Sequence, residues 1–241
     1  MTTSRPFRFD EIGYWSEVKL EIVEKYGAAY TTAFKNQTTL EKYYIDGFSG
    51  AGAHISKQTG EMIDGSPVRA LRVKPPFDRF YFIDMNPHKI SYLQRLFEKC
   101  TDVEVHTENS NTFLIQKLLP TIQYNRHNRA LCLLDPYGLH MDWEVMYLAG
   151  KSKAIDMFLN FPVMDMNRNA IWHQPEKVPQ DGIKRMSRFW GDESWRTAAY
   201  GESKQADLFG FGPKKLKQPN DGNCSRFRQA VEGRRGLQLC R

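Results

Sequence analysis

The stretch YYIDGFSGAGAH (43–54) gathers the densest chemistry in the chain: an apolar run ends in Asp46, and Gly47, Gly50 and Gly52 follow within six residues. Bare backbone at a strand end lets a ligand come close, and a Cβ at Gly50 or Gly52 would occupy the ligand's space. A dinucleotide fingerprint, G-x-G-x-x-G, would need glycine where Ile55 stands, and no G-K-[ST] follows to neutralise nucleotide phosphates. A carboxylate leading a glycine loop, with no dedicated anion partner, suits a ligand carrying positive charge, such as S-adenosylmethionine. The alternative is a tight turn that serves packing alone.

Three further apolar runs end in groups that suit the same ligand. Asp84, at the tip of FYFID, can accept hydrogen bonds from both hydroxyls of a ribose, and Met85 beside it can cover a face of adenine. An acid favoured by a helix dipole is the other reading of Asp84. In TENSN, Asn109 can read the adenine amino group and Asn111 can brace the loop, although asparagine is also a common turn former. LLDPYG sets Asp135, Pro136, Tyr137 and Gly138 behind a continuous apolar run, an arrangement poised to hold an amine.

Such groups act together only if a common frame brings the run ends to one edge. Strands are predicted at 43–46, 79–83, 103–106, 130–135 and 155–160. Between them lie helical patterns. In NPHKISYLQRLFEKC, Asn86 can cap, Pro87 takes the first helical position, and Ile90, Leu93, Leu96 and Phe97 share a face. Ser110 opens a second pattern through Phe113, Leu114 and Leu118, and Asp142 a third with Val145, Met146 and Leu148 inward. Two helices, 15–26 and 28–35, precede the first strand, and a last pattern spans 183–190. Regular alternation implies βαβ units and a mostly parallel sheet with helices on both faces. Ligands of such sheets bind beyond the carboxyl ends of the strands.

Composition narrows the class. With 41% hydrophobic residues among 241, the chain can bury a sizeable core. No apolar window is long enough for a membrane span, and MTTSRPFRFD lacks the features of a secretory signal, so the cytoplasm is the expected compartment and no membrane is expected as a partner. Cys100, Cys132, Cys224 and Cys240 show neither zinc-ligand nor disulfide-framework spacing, so no metal is expected. The net charge of +6 is carried by the end of the chain: from Pro213 onward there are eight Lys or Arg against Asp221 and Glu232, leaving 26 basic and 26 acidic residues before it. That end reads as a solvated tail in preference to a nucleic-acid arm.

Taken in order, YYIDGFSGAG, GSPVRAL (65–71), LLDPYG and FLNFP (158–162) resemble the three-Cys-motif partner protein family, mostly bacterial proteins within the class I S-adenosylmethionine-dependent methyltransferase superfamily. The resemblance covers roughly 15–170. It implies a Rossmann-like α/β fold and S-adenosylmethionine as cofactor. By the same resemblance, Asp46, Gly47, Phe48, Gly50 and Gly52 surround the methionine portion, Asp84 and Met85 hold ribose and adenine, Asn109 reads adenine, and Asp135, Pro136 and Tyr137 orient an acceptor nitrogen. It further implies a partner bearing a three-cysteine motif, and a nucleic-acid base is a compatible acceptor. A methyltransferase-like subunit that binds without transferring is the alternative.

The chain departs from the pattern in three places. Tyr137 stands where a D-P-P-[YFW] motif has its second proline, and Gly138 fills the aromatic slot, so Phe161 and Pro162 become candidates to line the pocket. Residues 53–65, AHISKQTGEMIDG, form an insert that reads as solvated loop, or as a hairpin or lid carrying His54, Lys57 and Glu61. No two convincing strands occur in 171–241, which leaves the C-terminal sheet edge incomplete. The expected organisation is an N-terminal helical segment (1–40), a methyltransferase-like α/β domain (41–200) and a basic tail (201–241). A cytosine C5-methyltransferase is disfavoured, because its nucleophilic cysteine belongs beyond the fourth strand and Cys132 lies inside it.

Overall fold

The computed structural model describes residues 7–202 and 215–217, and all five expected strands are present. The chain divides into two compact units, one of residues 1–135 with 152–159 and the other of 136–151 with 160–241.

The first unit begins with a short strand β1 (Asp10–Ile12) and helix α1 (Tyr14–Ala33). It continues through β2 (Glu41–Asp46), β3 (Ala53–Ser56), β4 (Met62–Asp64) and α2 (Ser66–Arg72). Then come β5 (Arg79–Asp84), α3 (Pro87–Leu96), β6 (Val103–Thr107), α4 (Ser110–Phe113), β7 (Asn128–Leu134) and β8 (Ile155–Leu159). Five of these strands form one all-parallel sheet in the order β6-β5-β2-β7-β8. This is a Rossmann-like α/β arrangement in which the strand order reverses at β2, so the switch point opens at its carboxyl end. β7 reads as an unbroken apolar run because both its faces are covered: Ala130 through Leu134 are all buried. Tyr44, Phe77, Phe80 and Phe82 pack edge to face beneath β2 and β5.

Local sequence accounts for the helix that carries the loop after β5. Asn86 accepts from the N–H groups of His88 and Lys89, Pro87 follows, and Ile90 and Leu93 are fully buried. Leu96, expected inward, is 47% exposed because the helix ends there. The two N-terminal helices expected from the sequence are one. Gly27 does not break α1 but lets it approach closely: a Cβ there would lie 3.3 Å from Val73 and 3.6 Å from the Phe77 ring.

The insert is a hairpin. β3 and β4 pair antiparallel, and β1 joins β3 in parallel to complete a three-stranded sheet. Ser56 is buried and its hydroxyl accepts from the N–H groups of Gln58 and Thr59 while donating to Glu17, so the turn is held from within. The solvated-loop reading fails because these backbone groups are satisfied by a ladder. The excursion closes where Gly65 N–H donates to Gly52 O at 2.8 Å, and α2 then starts.

The second unit holds α5 (Trp143–Ser152), whose last residue falls at the boundary, with α6 (Val163–Asn169), α7 (Gln180–Trp190), α8 (Trp195–Ala199), β9 (Tyr200–Glu202) and β10 (Lys215–Lys217). Its buried indoles are satisfied, Trp190 donating to Ser194 Oγ and Trp195 to Ser187 Oγ, each at 2.9 Å. β9 and β10 pair antiparallel within 171–241, where no strands were expected, as a sheet of their own. Among the described residues, no strand extends the five-stranded sheet beyond β8. The rest of the expected tail lies outside the described residues. No described helix is long and apolar enough to cross a membrane.

Candidate functional site

β2 delivers Asp46 as its final residue, in register with Phe82 of β5 on one side and Leu133 of β7 on the other. The loop that follows is tied to both neighbours. Gly47 N–H donates to Leu133 O, Ser49 N–H to Ile83 O, both at 3.0 Å, and Gly50 N–H to Asp84 Oδ2 at 3.0 Å. Asp84 Oδ1 accepts from Asn86 N–H at 2.8 Å. Each oxygen of Asp84 thus keeps acceptor capacity beyond its one backbone donor.

The loop glycines have different tasks. Gly50 and Gly52 adopt φ of +64° and +76°, the left-handed region that favours glycine. A Cβ at Gly50 would meet nothing within 4 Å, whereas one at Gly52 would lie 2.7 Å from Leu93 Cδ1 and one at Gly47 would lie 2.9 Å from Leu134 Cδ2. Gly52 is therefore restricted by the core and not by ligand space, contrary to the expectation from sequence. Gly50 borders open space. Phe48 is half-buried, and its N–H donates to Asp46 Oδ1 at 3.1 Å.

Asp46 is 1% exposed, and burial pushes its carboxyl up to about 7. Hydrogen bonds from Ser66 Oγ (2.6 Å) and Phe48 N–H only partly oppose this, and the charges of Asp135 and Asp84 push the same way. Three carboxylates from adjacent strand ends therefore share a region that favours positive charge. The chain supplies one cation itself: Lys19 Nζ from α1 ion-pairs with Asp135 Oδ2. Sequence reasoning missed Lys19, since a lysine on an amphipathic helix carries no signal beyond a solvated face. It also missed Ser66, whose role depends on the length of the hairpin that precedes it.

Beyond Asp84, Met85 is 66% exposed, and Asn109 Nδ2 lies 3.6 Å from its sulfur. Asn109 also caps α4, accepting from Thr112 N–H at 3.2 Å, and Asn111 is buried behind it. In the hairpin, Lys57 and Glu61 are exposed at the turn, while His54 faces inward. Its Nδ1 is buried without a hydrogen-bond partner, and burial lowers its pKa.

Pro136 and Tyr137 belong to the second unit. There Gly138 takes φ of +140°, and a Cβ would lie 2.7 Å from Asp165 Oδ2, which accepts from Leu139 N–H at 3.0 Å. An aromatic residue has no place at 138. Phe161 packs against Phe189 with ring centroids 5.7 Å apart, and Pro162 precedes α6. Cys132 is buried in β7 and its thiol is pushed far up by burial, which makes it a poor nucleophile.

Open space at Gly50, acceptor capacity on Asp84, an exposed Met85 beside Asn109, and a raised Asp46 fit a ligand that carries a diol, a flat base and positive charge. No protein-family model matches the chain, and no curated protein matches it. Among solved structures it is similar to protein LPL1258 of Legionella pneumophila, assigned to family-model DUF519, at 16% identity over 83% of this chain and 82% of that one with a TM-score of 0.47. It is also similar to the Escherichia coli protein yhhF, provisionally named a methyltransferase, at 13% identity over 80% and 86% with a TM-score of 0.37. At these identities and TM-scores neither likeness bears on what the site does.

Proposed function

We propose that the protein is an S-adenosylmethionine-dependent methyltransferase acting on an amino nitrogen. The observation that carries this reading is the convergence of Asp46, Asp84 and Asp135 at the carboxyl ends of three neighbouring parallel strands, around a loop that is open at Gly50. When bound, the cofactor supplies an electrophilic methyl group on a sulfonium. Asp84 would accept its ribose hydroxyls, with Met85 and Asn109 flanking the adenine. Asp46, neutral in part at pH 7, would ionise beside the positively charged methionine portion. Asp135 would accept a hydrogen bond from the acceptor nitrogen and stabilise the charge that nitrogen gains. Its value is positional, because in-line displacement depends on holding nitrogen and carbon at near-attack distance.

Lys19 ion-pairs with Asp135 and holds its carboxylate pointed in one direction before the acceptor arrives. The same ion pair favours a second reading, a binding subunit that works with a partner bearing a three-cysteine motif, since the acid is already engaged and Gly138 cannot serve as an aromatic platform. Isothermal titration with S-adenosylmethionine, with NADH as control, tests the cofactor; a methyl-transfer screen with and without partner then separates the readings. Affinity for NADH and none for S-adenosylmethionine sinks both.

A further inference from the structure

We infer that the acceptor is a planar heteroaromatic amine, a nucleobase with an exocyclic amino group, whose ring stacks on Trp15 while the amino group is directed to Asp135. This rests on the methyl-transfer reading and adds the class of acceptor and the residue that selects it.

The placement follows from α1. Tyr26 packs against Phe158 of β8, with centroids 6.4 Å apart, and Phe158 is level with Leu133 in the sheet. Lys19, seven residues earlier, reaches Asp135 just past the end of β7. The helix therefore runs against the strand direction, and its first turn projects beyond the carboxyl edge of the sheet. Trp15, Lys19 and Tyr26 are spaced by four and seven residues, which sets them on one stripe. Trp15 thus stands about 6 Å further along the axis than Lys19, on the side that carries the ion pair to Asp135. Side chains of a helix lean toward its N-terminus, so Lys19 brings the Asp135 carboxylate alongside the turn that bears Trp15.

The exposure of this indole is otherwise unaccounted for. Trp15 is 80% exposed, and its one ring neighbour among the described residues, Tyr14, meets it edge to face at 5.3 Å and is itself largely exposed. A broad, exposed ring one helical turn from the lysine that holds a hydrogen-bond acceptor fits a flat molecule with an amino group at its edge. Stacking of this kind tolerates any base, so the ring supplies affinity and Asp135 supplies the choice of an amine.

The test uses the full chain saturated with S-adenosylhomocysteine, titrated with adenosine, cytidine, and single-stranded oligo(dA) and oligo(dC), in wild type, Trp15→Phe and Trp15→Leu. Fluorescence attributable to Trp15, taken as the difference from Trp15→Phe, should be quenched on binding. Trp15→Leu should weaken binding about ten- to a hundredfold with Trp15→Phe in between, and leave S-adenosylhomocysteine affinity unchanged. In transfer assays the loss should fall on KM for the acceptor. Nucleosides and oligonucleotides binding alike identify the base itself as the ligand; oligonucleotides alone identify a base within a strand. If none of the four binds, or Trp15→Leu binds them as wild type does, the inference is wrong. Failure to bind S-adenosylhomocysteine would instead overturn the methyl-transfer reading on which it rests.

Discussion

Asp46 and Asp135 present the same functional group in different settings: Asp46 is buried at the end of its strand, and Asp135 is paired with Lys19. The folded state keeps Asp46 protonated up to about pH 7, against an ordinary value of 3.8. Between those values the folded chain holds a proton the unfolded chain has released, so its contribution to stability is fully present below about pH 4 and is lost as pH rises through 7. Asp46→Asn should flatten the pH dependence of urea unfolding between 4 and 7 and leave the protein more stable than wild type at pH 8. A cationic ligand favours the ionised form, so S-adenosylmethionine should release a proton on binding at pH 6.5 and bind more tightly at pH 8. Calorimetry in two buffers of different ionisation enthalpy measures this, and zero proton release would remove Asp46 from the site. Asp84→Asn should weaken the cofactor by about 1.5–3 kcal/mol for a lost charged hydrogen bond, with transfer recovering at high cofactor. Asp135→Ala should instead bind cofactor nearly normally and lose about two to three orders of magnitude in kcat, as removal of a charge-stabilising contact does. Full turnover by Asp135→Ala with its true acceptor would make that segment structural.

Elements were more legible than the loops between them. β7 is readable because a parallel strand covered on both faces is a short, continuous apolar run, the other four strands because apolar clusters recur at regular intervals, and α3 because Asn86 and Pro87 mark its start. The sequence predicts two helices where α1 is one, since Gly27 looks like a break, and only its packing on Val73 and Phe77 shows otherwise. The sequence favours a solvated loop over the hairpin for a different reason: the hairpin's outer partner is β1, more than forty residues earlier in the chain. The position of Asp46, Asp84 and Asp135 at strand ends is legible from the apolar runs before them, whereas the placement of Lys19 and Trp15 depends on where a helix passes over the sheet. These distinctions give the loop glycines separate fates. Gly52→Val should lower the melting temperature markedly, since its Cβ meets Leu93 in a backbone conformation that valine avoids. Gly50→Val, with open space around it, should lose cofactor affinity with a smaller loss of stability, the cost being backbone strain alone. Circular dichroism melts and isothermal titration on the two variants decide it; equal melting temperatures would contradict this division.

At the scale of the whole molecule, charge and chain path are the informative properties. The 26 basic and 26 acidic residues before Pro213 give the body no net pull on a polyanion. Any advantage of an oligonucleotide over its free nucleoside should come from the eight basic residues beyond it, so replacing those by Gln should abolish that advantage and flatten its salt dependence while nucleoside binding is unchanged. A salt slope that survives the replacement would place the phosphate contacts on the body. The path of the chain carries a different implication. Ile155 of β8 follows Leu134 of β7 by 21 residues, and between them lies the whole of α5, all but its last residue in the other unit. During synthesis, at about 5–20 residues per second, β7 therefore emerges from the ribosome one to four seconds before its outer neighbour exists. For that interval a strand of five consecutive apolar residues, Ala130 to Leu134, is a bare edge on the nascent chain. Overproduction, which crowds nascent chains together, should cause this protein to aggregate through β7, and a holdase chaperone should raise soluble yield more than lowering the temperature does.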